Sequence, residues 1–165
     1  MLEVKDTLRS RVRMSFEGLV YKTFRGPKAD ERFANEVRIL RHLQQRHCPF
    51  VPPLVSWDAD KLEIVTRSCG SRVEHLDEKR ARTLFEELET YGVRHDDPDV
   101  RNVTYRQSDG RFCIIDFEFA TLLTDLPGLP GQPPPAPGGP PPPPPPPPHP
   151  PHPPPPHPPP PPPPP

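Results

Sequence analysis

An α+β domain followed by a disordered proline-rich tail is the architecture this sequence predicts. Three features carry it: short runs of alternating or branched and aromatic residues, two stretches with apolar residues at helical spacing, and an abrupt change of composition after residue 126. Of the 34 prolines, 29 lie in the last 39 residues, and no Asp, Glu, Lys or Arg follows Asp125. Proline tracts without a hydrophobic pattern cannot build a core and tend toward extended polyproline II. The chain therefore divides into a folding body, 1–126, and a tail, 127–165. A body of that size is enough for one small domain with a sizeable core.

The elements follow in order. Val12, Met14 and Phe16 alternate with Arg11, Arg13 and Ser15, the period of a half-buried strand. Arg9, Arg11 and Arg13 then share the solvated face of that strand. Leu19–Phe24 is rich in aromatic and branched residues and reads as a second strand, which Gly26-Pro27 ends. Asp30 is expected to cap a helix running to about Gln45, with Phe33, Val37, Leu40 and Leu43 on its apolar face and Ile39 widening it. Two strands follow, from Leu54 to Trp57 and from Leu62 to Thr66. A second helix spans about Glu78 to Tyr91, capped by Asp77, with Ala81, Leu84, Phe85, Leu88 and Tyr91 at helical spacing. After a loop from His95 to Asn102, strands at 103–106 and 112–115 flank a turn at Ser108-Asp109-Gly110.

Composition excludes several classes. A net charge of −1, with every Lys, Arg, Asp and Glu in the body, gives no argument for nucleic acid or an acidic membrane. Cys48, Cys69 and Cys113 are widely spaced and odd in number, which fits reduced thiols in a cytosolic compartment rather than a disulfide frame or zinc site. The first ten residues carry Glu3, Lys5 and Asp6 without an apolar run, so no signal peptide is expected. No segment approaches the roughly 20 apolar residues that span a bilayer. The expectation is a soluble, cytoplasmic protein.

The chemistry concentrates in the second half. His95-Asp96-Asp97-Pro98-Asp99-Val100-Arg101-Asn102 has the spacing H-x-D-x-x-x-x-N, and after a short hairpin comes Ile114-Ile115-Asp116-Phe117-Glu118. Phosphoryl transfer from ATP needs such a set: one carboxylate to orient the accepting hydroxyl, and a carboxamide and second carboxylate to hold Mg²⁺. The pattern resembles the catalytic loop and metal-binding segment of the protein-kinase-like superfamily.

That resemblance, which covers roughly residues 10–124, implies a reduced protein-kinase-like fold. It has a small antiparallel N-lobe sheet with one helix, and a truncated helical C-lobe with a catalytic-loop hairpin. It implies Asp97 as the catalytic base, Asn102 and Asp116 as Mg²⁺ ligands, and His95 and Phe117 as packing residues. Val20-Tyr21-Lys22 resembles the strand whose lysine holds nucleotide phosphates, and Glu36 on the following helix is its ion-pair partner. ATP and Mg²⁺ are the implied cofactors, and the acceptor is a hydroxyl of a protein Ser/Thr or of a small molecule. Asp-Phe-Glu in place of Asp-Phe-Gly resembles aminoglycoside- and choline-type kinases and some atypical small kinases. Three departures stand out. Asp99 occupies the place of a lysine two residues after the catalytic Asp, only Gly18 precedes Lys22 where a glycine-rich loop belongs, and about ten residues separate Asp116 from Pro127.

Two functions follow from different classes: a phosphotransferase, or a pseudokinase-like binding module that recruits or spaces a partner through its tail. A fragment of a longer protein is a third reading. A proline-dominated stretch of about 25 residues would extend on the order of 80 Å. Such a rod docks on SH3- or WW-type grooves or serves as a spacer; His149, His152 and His157 do not converge on a metal.

Overall fold

The computed structural model describes residues 1–123, together with 156 and 161–164. The boundary expected at residue 126 and nearly all of the expected tail lie outside the described residues.

The first half is an antiparallel sheet with one helix. In chain order its elements are β1 (Leu2–Asp6), β2 (Ser10–Met14), β3 (Leu19–Phe24), α1 (Ala29–Gln45), β4 (Leu54–Asp58) and β5 (Glu63–Arg67). The five strands pair in the order β1-β2-β3-β5-β4, every pair antiparallel. Helix α1 packs against β3, β4 and β5, burying Phe33, Val37, Ile39, Leu40 and Leu43.

The structure adds one strand and departs from expectation at three points. Leu2–Asp6 forms a strand that no sequence pattern announces, because its apolar residues are few and its charges many. Cross-strand pairing compensates: Arg11 Nη2 donates to Glu3 Oε2 at 3.0 Å, the kind of opposite-charge pair that supports a sheet edge. Arg9 lies in the β1–β2 turn, so only Arg11 and Arg13 share the solvated strand face. Phe16, expected to be half-buried, is 96% exposed, because β2 ends at Met14 and the chain turns at Gly18 with φ 81°. Helix α1 begins at Ala29, so Asp30 sits in its first turn instead of capping it, and Lys28 at the cap position makes no side-chain cap. Asp30 still favours that terminus through the helix dipole.

The second half comprises β6 (Ser71–Arg72), α2 (Glu78–Thr90), β7 (Val93–Arg94), β8 (Val103–Arg106), β9 (Arg111–Ile114) and β10 (Thr121–Leu122). The β8–β9 hairpin and α2 stand where the sequence places them, and Asp77 caps α2 by accepting from the Lys79 amide at 3.3 Å. The two-residue strands β6, β7 and β10 carry too little pattern to be read in advance. β6 joins the hairpin in the order β6-β8-β9, and β10 pairs with β7, returning the chain to the segment that follows α2.

One core runs through both halves. Ile39 and Leu43 of α1, Leu88 of α2, and Val93, Val103, Ile114 and Phe117 are fully enclosed in it. The Ile114 amide donates to Phe50 O at 2.8 Å, tying the segment after α1 to the hairpin. Between the halves Gly70 takes φ 92°, and a Cβ there would run into the Tyr105 carbonyl. Glycine is required at that crossing by both conformation and space. Among the described residues no helix is long and apolar enough to cross a membrane.

Candidate active site

The site forms where the sheet faces the hairpin, and each side chain is delivered by a different element. Lys22 comes from the centre of β3, in register with Val12 and Ile64 on either side. Its Nζ lies 2.8 Å from Glu36 Oε2 on α1, 3.0 Å from Asp116 Oδ1 and 3.8 Å from Glu118 Oε2. The three carboxylates offer oxygens within 4.8 Å of one another, so without a central cation they would repel strongly. Lys22 supplies it. Burial disfavours its charge, but Glu36, Asp116 and Glu118 together outweigh that and hold its pKa above the ordinary lysine value. For Glu36 burial wins, raising its pKa despite Lys22. For Asp116 burial acts the same way but is overcome by Lys22, with help from Lys5, so its pKa falls below the usual range.

Helix α1 fixes the segment carrying Asp116 through three residues on one side. The Asn35 amide donates to Glu118 O at 3.0 Å and Ala120 O at 2.9 Å. Glu36 Oε1 accepts from the Phe117 amide at 3.4 Å. Arg32, almost fully buried, donates to Glu118 at 3.1 Å and to the Pro27, Arg9 and Arg25 carbonyls. Asp116 itself adopts φ 70°, a left-handed conformation that Asp tolerates better than most residues.

The loop before the hairpin is held from below by His95. Its Nε2 lies 3.0 Å from Ile115 O and its Nδ1 3.0 Å from the Asp97 amide. A carbonyl only accepts and an amide only donates, so the proton sits on Nε2 and both ring nitrogens are satisfied. The ring stacks edge-on between Phe85 of α2 and Phe117, with centroid distances of 5.3 and 5.4 Å. This column of Phe85, His95 and Phe117 fixes the loop against the Asp116 segment.

Above it, Asp97 Oδ2 accepts from Arg101 Nε at 2.9 Å, Arg101 Nη2 at 2.6 Å and Asn102 Nδ2 at 3.0 Å. Among the described residues Oδ1 accepts nothing and remains available to a hydroxyl. Asn102 Nδ2 also donates to Asp97 O at 2.9 Å, so the carboxamide nitrogen is spent and its oxygen is the atom left to ligate. Asp99, the acidic departure from the kinase pattern, turns away from this centre. Its Oδ1 accepts from the Arg101 amide at 3.0 Å and caps the 3-10 turn Val100–Asn102.

Two cavities meet at this point. One of about 390 Å³ lies under the sheet, lined by Val12, Met14, Val20, Ile64 and Ile115, with Lys22, Asn102 and Asp116 at one end. The other, of about 720 Å³, opens beyond them between the β1–β2 turn and the loop bearing Asp97, and Asp116 and Glu118 also line it. Lys5, Asn102 and Asp116 line both. An apolar chamber ending in a few convergent polar groups is the usual form of a small-molecule site. The oxygens of Asn102 and of Asp116, hard ligands on two facing elements, suit Mg²⁺.

The structure thus brings together Lys22, Glu36, Asp97, Asn102 and Asp116, all five residues singled out in the sequence. It adds Glu118 and Arg32 to the charge network, and pairs Arg101, the cation on the loop itself, with Asp97. Arg32 was legible in principle, because it stands four residues before Glu36 on the same helical stripe.

No protein-family model matches this chain, and no curated protein matches it. Among solved structures it is similar to WbdD, solved in complex with the kinase inhibitor LY294002, with a TM-score of 0.52 and 19% identity. The fold is kinase-like. The match covers 72% of this chain and 32% of the WbdD chain, so this chain spans about a third of the length of that protein.

Proposed function

We propose that this chain is an ATP- and Mg²⁺-dependent phosphotransferase acting on a hydroxyl, with a protein Ser or Thr as the favoured acceptor and a small-molecule alcohol as the other. The observation that carries the reading is Lys22 bridging Glu36 and Asp116 beside the Asp97–Asn102 pair, at the end of an apolar cavity. The base of the nucleotide would occupy the 390 Å³ cavity and its phosphates would extend toward Lys22 and Asp116. Asn102 and Asp116 would hold Mg²⁺, which when bound neutralises charge on the phosphates. Asp97, its Oδ2 fixed by Arg101 and Asn102, would orient the acceptor hydroxyl through Oδ1 and take its proton. Preorganised charge of this kind is the main resource for phosphoryl transfer.

A second reading, a pseudokinase-like module that binds rather than transfers, is favoured by the Arg101–Asp97 ion pair, which covers one side of the proposed base. In that reading the proline-rich tail recruits an SH3- or WW-type partner or spaces one.

Incubating the full chain with γ-labelled ATP, Mg²⁺ and libraries of Ser/Thr peptides and small alcohols separates the two. Label transferred to a hydroxyl, and abolished by chelating the metal, is the expected result. Nucleotide binding with no transfer to any acceptor class supports the binding module instead.

A further inference from the structure

Strand β1 carries a register slip with a chemical consequence. Glu3 pairs with Arg13 and Lys5 with Val12, which leaves Val4 as an extra residue on the β1 side. In an unbroken strand Lys5 would follow Glu3 onto the solvated face, because side chains alternate with a period of two. The bulge re-aims it. Leu2, Val4 and Lys5 consequently all line the cleft, with Lys5 at the junction of the two cavities and its charge near enough to act on Asp116.

The adjacent turn makes that cation more significant. Thr7 Oγ1 accepts from the Arg9 amide at 3.3 Å and the Ser10 amide at 3.2 Å, and the Thr7 amide donates to Ser10 O at 2.9 Å. These backbone donors are therefore committed within the turn and do not face an incoming anion. The cleft below carries Asp96, Asp97, Asp116 and Glu118, and Lys22 is already shared among three carboxylates. Arg9 also lines the outer cavity and Arg67, Arg72 and Arg101 the inner one, but among the described residues Lys5 is the cation that lines both, where a polyanion would pass between them toward Lys22.

We propose that Lys5 is a phosphate-binding residue, held over the nucleotide's phosphate chain by the bulge at Val4 and serving where the backbone amides of a glycine-rich turn would otherwise serve. This assignment rests on the nucleotide reading above. It places the charge in a side chain, so the contact is selective for the phosphates and indifferent to the base.

Calorimetric titration of the full chain with Mg²⁺-ATP and with adenosine tests it, comparing wild type with Lys5→Met, Lys5→Arg and Lys61→Met, the last an exposed lysine on the β4–β5 turn. Losing a charge-assisted contact predicts that Lys5→Met weakens Mg²⁺-ATP on the order of 10- to 100-fold and leaves adenosine unchanged. Lys5→Arg should restore most of the affinity, and Lys61→Met should match wild type. Wild-type affinity for Mg²⁺-ATP in Lys5→Met, or an equal loss for adenosine, overturns the assignment while the nucleotide reading stands. No binding of Mg²⁺-ATP by the wild type overturns the nucleotide reading and the assignment with it.

Discussion

Replacing Lys22 by Met is expected to abolish Mg²⁺-ATP binding and to destabilise the fold at neutral pH by about 3–5 kcal/mol, the usual cost of removing one partner from a buried charge cluster. The cause is local. Glu36, Asp116 and Glu118 surround a single ammonium, and Met would leave three acidic groups facing one another, offset only in part by Arg32 paired at the Glu118 end and by Lys5 acting on Asp116. The pH dependence has a defined sign. Burial already raises the Glu36 pKa, so without Lys22 this carboxyl takes up a proton first, and protonation relieves the repulsion. The deficit relative to wild type should therefore shrink as pH falls through the carboxylate range. Urea denaturation of both proteins at pH 7 and pH 5 checks this. An equal deficit at both values would show that Lys22 acts by packing rather than by charge.

Asp97→Asn is expected to lower the transfer rate by roughly 10²- to 10⁴-fold, the range for a positioned general base, while Mg²⁺-ATP binds as before. Asn preserves the shape but presents no carboxylate to the acceptor hydroxyl. Asn102 keeps its bond to the backbone carbonyl of residue 97, so the loop should hold its conformation. The Arg101 pair is largely exposed, and such pairs contribute little to stability. Steady-state transfer kinetics beside nucleotide titration separate the two effects. Unchanged transfer would remove Asp97 from the base role, and a parallel loss of nucleotide affinity would assign it to binding.

The sequence exposed the site more clearly than it exposed the fold around it. His95, Asp97, Asn102 and Asp116 were legible because they stand at fixed offsets on one loop and hairpin. Lys22 and Glu36 could be added because a strand and a helix of recognisable period carry them. Strand β1 was hidden because Glu3, Lys5 and Asp6 break any apolar run, and its place in the sheet comes from backbone pairing with β2, which a single segment does not display. Phe16 misled for a related reason. Alternation extends past Met14, but Gly18 sets a turn that ends the strand early. Glu118 was visible as a departure from Asp-Phe-Gly, yet its role emerges only when α1 brings Arg32 and Asn35 across to the same segment. Asp99, an apparent obstacle as a bare sequence position, becomes a cap once the 3-10 turn is in view.

The central claim is that the cleft is a metal-dependent nucleotide site built on Lys22 and Asp116. Its most direct test is calorimetric titration of the full chain with ATP, with and without Mg²⁺, beside Asp116→Asn. Binding that requires Mg²⁺ in the wild type and disappears in the variant is the predicted result. A folded wild-type protein that binds no ATP at millimolar concentration, or an Asp116→Asn variant that binds Mg²⁺-ATP undiminished, would contradict it.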